Sequence, residues 1–158
     1  MTLDKKSKSG VRTWKIKPWY NKPHYYTVKI FNKKEDMWKY AQQKHIVGNC
    51  DTNFRAITHS AKRDRLINGR WHTDKEWLGT QLFCLEHIGS EVVSHEMTHA
   101  ALYWMARVKK KKTITTMQST YHDNGVISMH EKLCMVVGEM TKIFWQKYYK
   151  HIMPTELK

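Results

Sequence analysis

The segment His95-Glu96-Met97-Thr98-His99 constrains this chain more than any other. It lies in residues 90 to 108, a run without Pro or Gly, which predicts a helix of about four to five turns. On that helix His95 and His99 leave one face a single turn apart. There two neutral imidazoles can take adjacent corners of a tetrahedral Zn²⁺ site at about 2.0–2.1 Å. Glu96 projects about 100° round from His95, beside the metal rather than on it, placed to accept a proton from a water at that metal. Ser90 after Gly89 reads as the N-cap, Glu91 suits the positive end, and Lys109 to Lys112 suit the other. Apolar residues occur all round the helix (Val92, Val93, Met97, Ala100, Ala101, Leu102, Trp104), which predicts burial in a core. Two His and a Glu buried on such a helix need partners. Hydrogen bonds alone are one solution; a shared metal ion is the reading preferred here.

Ahead of this helix the chain reads mostly as strands. Residues 1 to 10 form a basic tail without the apolar stretch of a signal peptide, and residues 11 to 158 read as one domain. Val11 to Ile16 alternates, and Tyr25 to Phe31 is rich in aromatic and β-branched residues. Lys33 to Ala41, after Asn32, predicts a short amphipathic helix with Met37, Trp38 and Ala41 inward. Asn53 to His59 is a further strand. The polar stretch Ser60 to Glu76, with the turn signal Asn68-Gly69, links it to a neighbouring strand, Leu78 to Leu85. That last strand is either a sheet edge open to a peptide or a paired interior strand. After a polar segment, Ser128-Met129-His130-Glu131 has the capping-box form and opens a long helix running to about His151, with Pro154 beyond.

A site of this kind needs a third protein ligand. The extended motif with Gly and a third His is excluded, because Leu102 and Met105 occupy those positions. Glu131 and Glu139 on the later helix are the alternatives, with His130 behind them. The two glutamates lie about 12 Å apart along a helix axis, so only one reaches the metal. Glu131 is preferred: Cys134 and Gly138 share its face, and their small size allows close approach of a second helix. A competing role for Glu131 is the acid of the capping box begun by Ser128, and the two roles exclude each other.

His95-Glu96-Met97-Thr98-His99-Ala100 together with Glu131-x-x-Cys134-x-x-x-Gly138-Glu139 resembles the minimal gluzincins of phage and mobile elements, related to ImmA/IrrE-type metallopeptidases. The resemblance covers residues 25 to 150 as an order of elements, while its specific motifs span about twenty residues. It implies an α+β, zincin-like domain: a small twisted sheet packed on an active-site helix and a second, Glu-bearing helix. It also implies His95, His99 and Glu131 as ligands of one Zn²⁺ per chain, Glu96 as catalytic base, and hydrolysis of a peptide bond in a protein substrate. Two departures stand out: Cys134 replaces the usual Ala, and 32 residues separate His99 from Glu131. Tyr121 and His122, between the two helices, are candidates for stabilising the oxyanion.

Charge opens a second reading. The 158 residues carry a net charge of +14, with a sequence pI near 9.7, which suits nucleic acid, an acidic protein or an anionic surface. Trp14, Trp19, Tyr20, Tyr25 and Tyr26 among lysines suit base stacking, or equally the buried side of a strand pair. The alternative function is therefore a basic binding protein, gripping nucleic acid non-specifically or a host protein, with a structural or non-catalytic metal site. Cys50, Cys84 and Cys134 are isolated, so no disulfide framework is expected, and Cys84 and Cys134 read as buried thiols. No run is apolar enough to span a membrane, and a cytoplasmic location is expected (the host cytoplasm for a phage protein).

Overall fold

The alternation Tyr26, Val28, Ile30 gives the central strand β2 (Tyr25–Phe31) one wholly buried face, against which the rest of the sheet registers. The computed structural model describes residues 10–19, 22–47, 54–108 and 129–153, with the side chains of 108 and 129–131 outside that description. β1 (Arg12–Ile16) pairs antiparallel with β2, placing Trp14 opposite Val28 and Ile16 opposite Tyr26. α1 (Lys34–Gln43) follows, with Met37, Trp38 and Ala41 buried as its periodicity predicts. Next come β3 (Ala56–Ser60), β4 (Asp64–Ile67), β5 (Arg70–Thr73) and β6 (Trp77–Cys84). A single 3-10 turn (Leu85–His87) then leads into α2 (Ser90–Val108), and α3 (Met129–His151) closes the order.

The main sheet has the order β1-β2-β6-β3; β6 runs parallel to β2 and antiparallel to β3. The fold is therefore α+β, a small mixed sheet with three helices. α2 and α3 cover one face, where Trp14, Val28, Phe83, Met97, Trp104 and Phe144 share a core. α1 covers the other through Phe31, Met37, Ala41, Leu82 and Cys84. Among the described residues, no helix is long and apolar enough to cross a membrane.

The Leu78 to Leu85 strand is settled as interior: β6 is hydrogen-bonded on both sides, and the edge beside α2 belongs to β3. β3 itself starts at Ala56 rather than Asn53. The polar link after it does join neighbouring strands, and it folds into a hairpin of its own, because Asn68 (φ 49°) and Gly69 (φ 74°) supply the two positive φ angles of a tight two-residue turn. α2 begins at Ser90, and the Gly89 carbonyl accepts from the Val93 amide, so the cap lies one residue earlier than the Ser90 pattern suggests. Cys134 is exposed rather than buried, while Cys84 is buried, which raises its thiol pKa. The difference is positional: Cys84 ends a covered strand, and Cys134 lies on the outer side of α3.

A β-bulge gives β6 its two-sided burial. Tyr25 pairs with Trp77 and Tyr26 with Gly79, so Leu78 is the extra residue. Without it, Leu78 would share a face with Leu82 and Cys84; the bulge turns it toward the α2 core, beside Phe83. Gly79 carries the irregularity at φ +146°, and a Cβ there would lie 2.0 Å from the His59 carbonyl oxygen. Gly79→Ala should therefore cost at least about 3 kcal/mol and lower the melting temperature by roughly 6–12 °C. Gly69→Ala, with nothing within 4 Å of the added methyl, should cost about 1 kcal/mol. Thermal denaturation followed by circular dichroism distinguishes the two; equal effects would mean that close approach to β3 is not what requires Gly79.

Candidate metal centre

Three tethers set the roll of α2 on the sheet. Tyr26, buried in β2 with its phenol pKa raised by that burial, donates to the Ala100 carbonyl at 2.9 Å. Thr58 of β3 and Gln81 of β6 both donate to the Glu96 carbonyl, each at 3.1 Å. The Gln81 amide also donates to the Thr58 hydroxyl at 3.1 Å. At the far end Arg107 donates to the carbonyls of Ala61 and Trp77. With these contacts on the sheet side, the stripe Glu91, His95, His99, Tyr103, one residue per turn, faces a cleft of about 590 Å³ between α2 and residues 54–58.

His95 and His99 meet across that stripe. Their Nε2 atoms are 3.1 Å apart and their rings stand edge to face at 80°. Two nitrogens on one tetrahedral metal at about 2.0–2.1 Å would be separated by about 3.3 Å, so the pair is set at close to the bite of a single Zn²⁺. The same distance also suits one imidazole donating to the other. Glu96, 6% exposed, lines the same cleft, and its Oε2 has no hydrogen-bond partner among the described residues. An orphaned buried carboxylate oxygen beside two convergent imidazoles is a donor set that fits a divalent cation and a water.

Burial differs from the sequence expectation. Both histidines are exposed, and of the three only Glu96 is buried. Apolar residues do surround α2, yet the sheet and α3 cover only part of its circumference, and the histidine stripe is left to the cleft. The need for a partner therefore rests on Glu96 rather than on the imidazoles.

The second helix also departs from expectation. Cys134 and Gly138 are exposed, and a Cβ on Gly138 would meet nothing within 4 Å. That face receives no helix among the described residues; α3 instead turns Val136, Met140 and Phe144 into the core. Glu139 is exposed, pairs with Lys142 at 3.8 Å and forms no metal-sized group with the histidines. Among the described residues no third His, Cys, Asp or Glu joins His95 and His99 in a metal-sized group. Glu131 and His130 lie within α3 with side chains outside the description, and Tyr121 and His122 lie outside the described residues altogether.

Sequence reasoning overlooked four cleft or tether residues: Tyr103, Arg55, Thr58 and Gln81. Tyr103 lines the cleft and stacks on His99 with ring centroids 6.4 Å apart; its i+4 spacing from His99 was the available signal. Arg55 pairs with Glu91 at 3.1 Å on the rim. Gln81 stood out as a polar residue in an apolar strand. Compared with known proteins, the chain matches no protein-family model, no curated protein and no solved structure.

Thr58, Gln81 and the Glu96 carbonyl form a closed triangle of hydrogen bonds, so removing either donor should alter the value of the other. Thr58→Val and Gln81→Leu, singly and combined in urea denaturation, should show an interaction energy of about 0.5–3 kcal/mol. Additivity within about 0.3 kcal/mol would mean that the two side chains act independently.

Proposed function

We propose that the chain is a zinc-dependent peptidase, with His95 and His99 as metal ligands, Glu131 as the third ligand and Glu96 as the general base. The observation that carries this reading is the 3.1 Å approach of the two Nε2 atoms in the same cleft as a buried Glu96 carboxylate, one of whose oxygens has no partner among the described residues. The zincin-like arrangement belongs to this reading and draws on the α+β architecture with a helix crossing a small sheet.

A Zn²⁺ ion held there would polarise a peptide carbonyl and acidify a water. Glu96 takes the proton from the attacking water and returns it to the departing amine, as base and then acid. Burial and the carbonyl tether at Glu96 hold this residue in place while its neighbours stay open to substrate. β3, the edge strand of the sheet among the described residues, walls the cleft and offers an edge to which an extended peptide would add as a further strand. Tyr103, on the α2 side of the same cleft, carries a phenol hydroxyl suited to donate to the developing oxyanion.

Purified protein reloaded with zinc at neutral pH should hold about one equivalent per chain by elemental analysis. His95→Ala and Glu131→Ala should lose stoichiometric zinc, and with it the zinc-dependent rise in melting temperature. Glu139→Ala should keep both. Glu96→Gln should retain the metal and cut hydrolysis of an unfolded protein substrate by roughly 10²- to 10⁴-fold. Zinc binding that survives His95→Ala would remove the site; full hydrolysis by Glu96→Gln would remove the catalytic assignment while leaving the metal.

A further inference from the structure

Of the aromatics that sequence offered for base stacking, Trp14 and Tyr26 are buried, Trp19 stacks on Trp104, Tyr25 is half-buried and accepts from Arg63, and Tyr20 lies outside the described residues. A different aromatic residue is open. Trp71, on β5, is 73% exposed, with Leu66 at 59% across from it and Ile67 at 48% elsewhere on the same hairpin. The geometry points to this β4–β5 hairpin as an arm that binds single-stranded nucleic acid, Trp71 stacking on an unpaired base while Arg65 and Arg70 contact phosphates. The inference concerns a surface separate from the histidine cleft and does not depend on the peptidase reading.

Register sorts the arm into two faces. Opposite residues share a face in an antiparallel pair, so Leu66 and Trp71 lie together on one side. Ile67 with Arg70, and Arg65 with His72, lie on the other. All eight strand residues are exposed. One side thus presents Trp71 and Leu66, with the Asp64–Thr73 pair nearer the base, and the other carries two guanidinium groups; stacking aromatics and cations for the backbone are what single-strand binders combine.

The arm is held at its base rather than loose. Arg63 pairs with Asp74, donates to the Tyr25 hydroxyl at 3.2 Å and lies 4.7 Å over the Trp77 ring. The Asp74 amide donates to the Arg63 carbonyl at 2.8 Å. Two four-residue strands beyond that base carry the tip roughly 13 Å outward. The tight turn at Asn68-Gly69 fixes which residues share each face.

Trp, Leu and Ile beside arginines would also suit a lipid surface. The order of residues along the arm argues against it. Arg70 lies nearer the tip than Trp71, and the tip itself is the polar Asn68-Gly69 turn. Insertion deep enough to bury Trp71 would carry a guanidinium and the turn's peptide groups into the apolar layer. A polyanion has no such conflict, and the net charge of +14 favours its approach.

The test is fluorescence anisotropy of the full chain with a fluorescein-labelled oligothymidylate of about 20 nucleotides across a salt series. Trp71→Ala should weaken binding about 5- to 100-fold with the log–log salt slope unchanged. Arg65→Gln with Arg70→Gln should lower that slope by about 1–1.5, the counterions of two phosphates. Lys39→Gln on α1 with Lys44→Gln just past its end, both exposed, removes the same charge elsewhere and should change the slope far less. An equal effect of the lysine pair, or no effect of Trp71→Ala, would overturn the arm as the site. Equal or tighter binding of duplex DNA of the same length would overturn the single-strand assignment. Trp71-dependent sedimentation with phosphatidylserine vesicles, without oligonucleotide binding, would hand the arm to lipid. Unchanged melting temperatures of the variants confirm that a loss is not unfolding.

Discussion

The fastening of α2 to the sheet is the interaction on which the rest depends. A helix carbonyl already engaged in its own ladder keeps a second lone pair, and here the sheet uses it twice. Thr58 and Gln81 donate to the Glu96 carbonyl, and one turn later Tyr26 donates to that of Ala100. These donors are buried or half-buried, where a broken hydrogen bond leaves a polar group without water. Rolling α2 by one residue would strand three donors at once. The roll is therefore set, and with it the direction of the Glu91, His95, His99, Tyr103 stripe.

Sheet order turns this orientation into a cleft. Because β6 runs between β2 and β3, the strand that leads into α2 is interior, and the strand nearest the histidines is an edge. An interior β6 must be covered on both faces, which its buried residues and the bulge at Leu78 allow. Among the described residues β3 pairs on one side alone, and between it and α2 lies the space of about 590 Å³. Position in the sheet, rather than composition of the strand, separates support from binding surface.

The β4–β5 arm grows out of the same edge. β3 ends at Ser60, the Ala61 amide still donates to the Leu78 carbonyl, and the arm begins four residues after Ser60, at Asp64. A segment held by the arm would thus be tethered to the strand that walls the histidine cleft.

By itself the sequence determined what periodicity and local chemistry control. The Tyr25 to Phe31 strand, the inward Met37, Trp38 and Ala41, the helix over residues 90 to 108 and the His95–His99 pair were all legible, because each follows from spacing within one element. The end of α3 at His151 was legible for the same reason. What crosses between elements was not. Exposure of Cys134 and Gly138 depends on which side of α3 meets the core, and an apolar run does not specify that when residues occur all round it. Burial of Glu96 against exposure of its two histidines depends on the sheet tethers, whose donors lie up to 74 residues away in the chain. Which strand is an edge depends on pairing partners, since period-two alternation is the same in either position. Local pattern sets an element's faces; only the packed tertiary structure decides what each face meets.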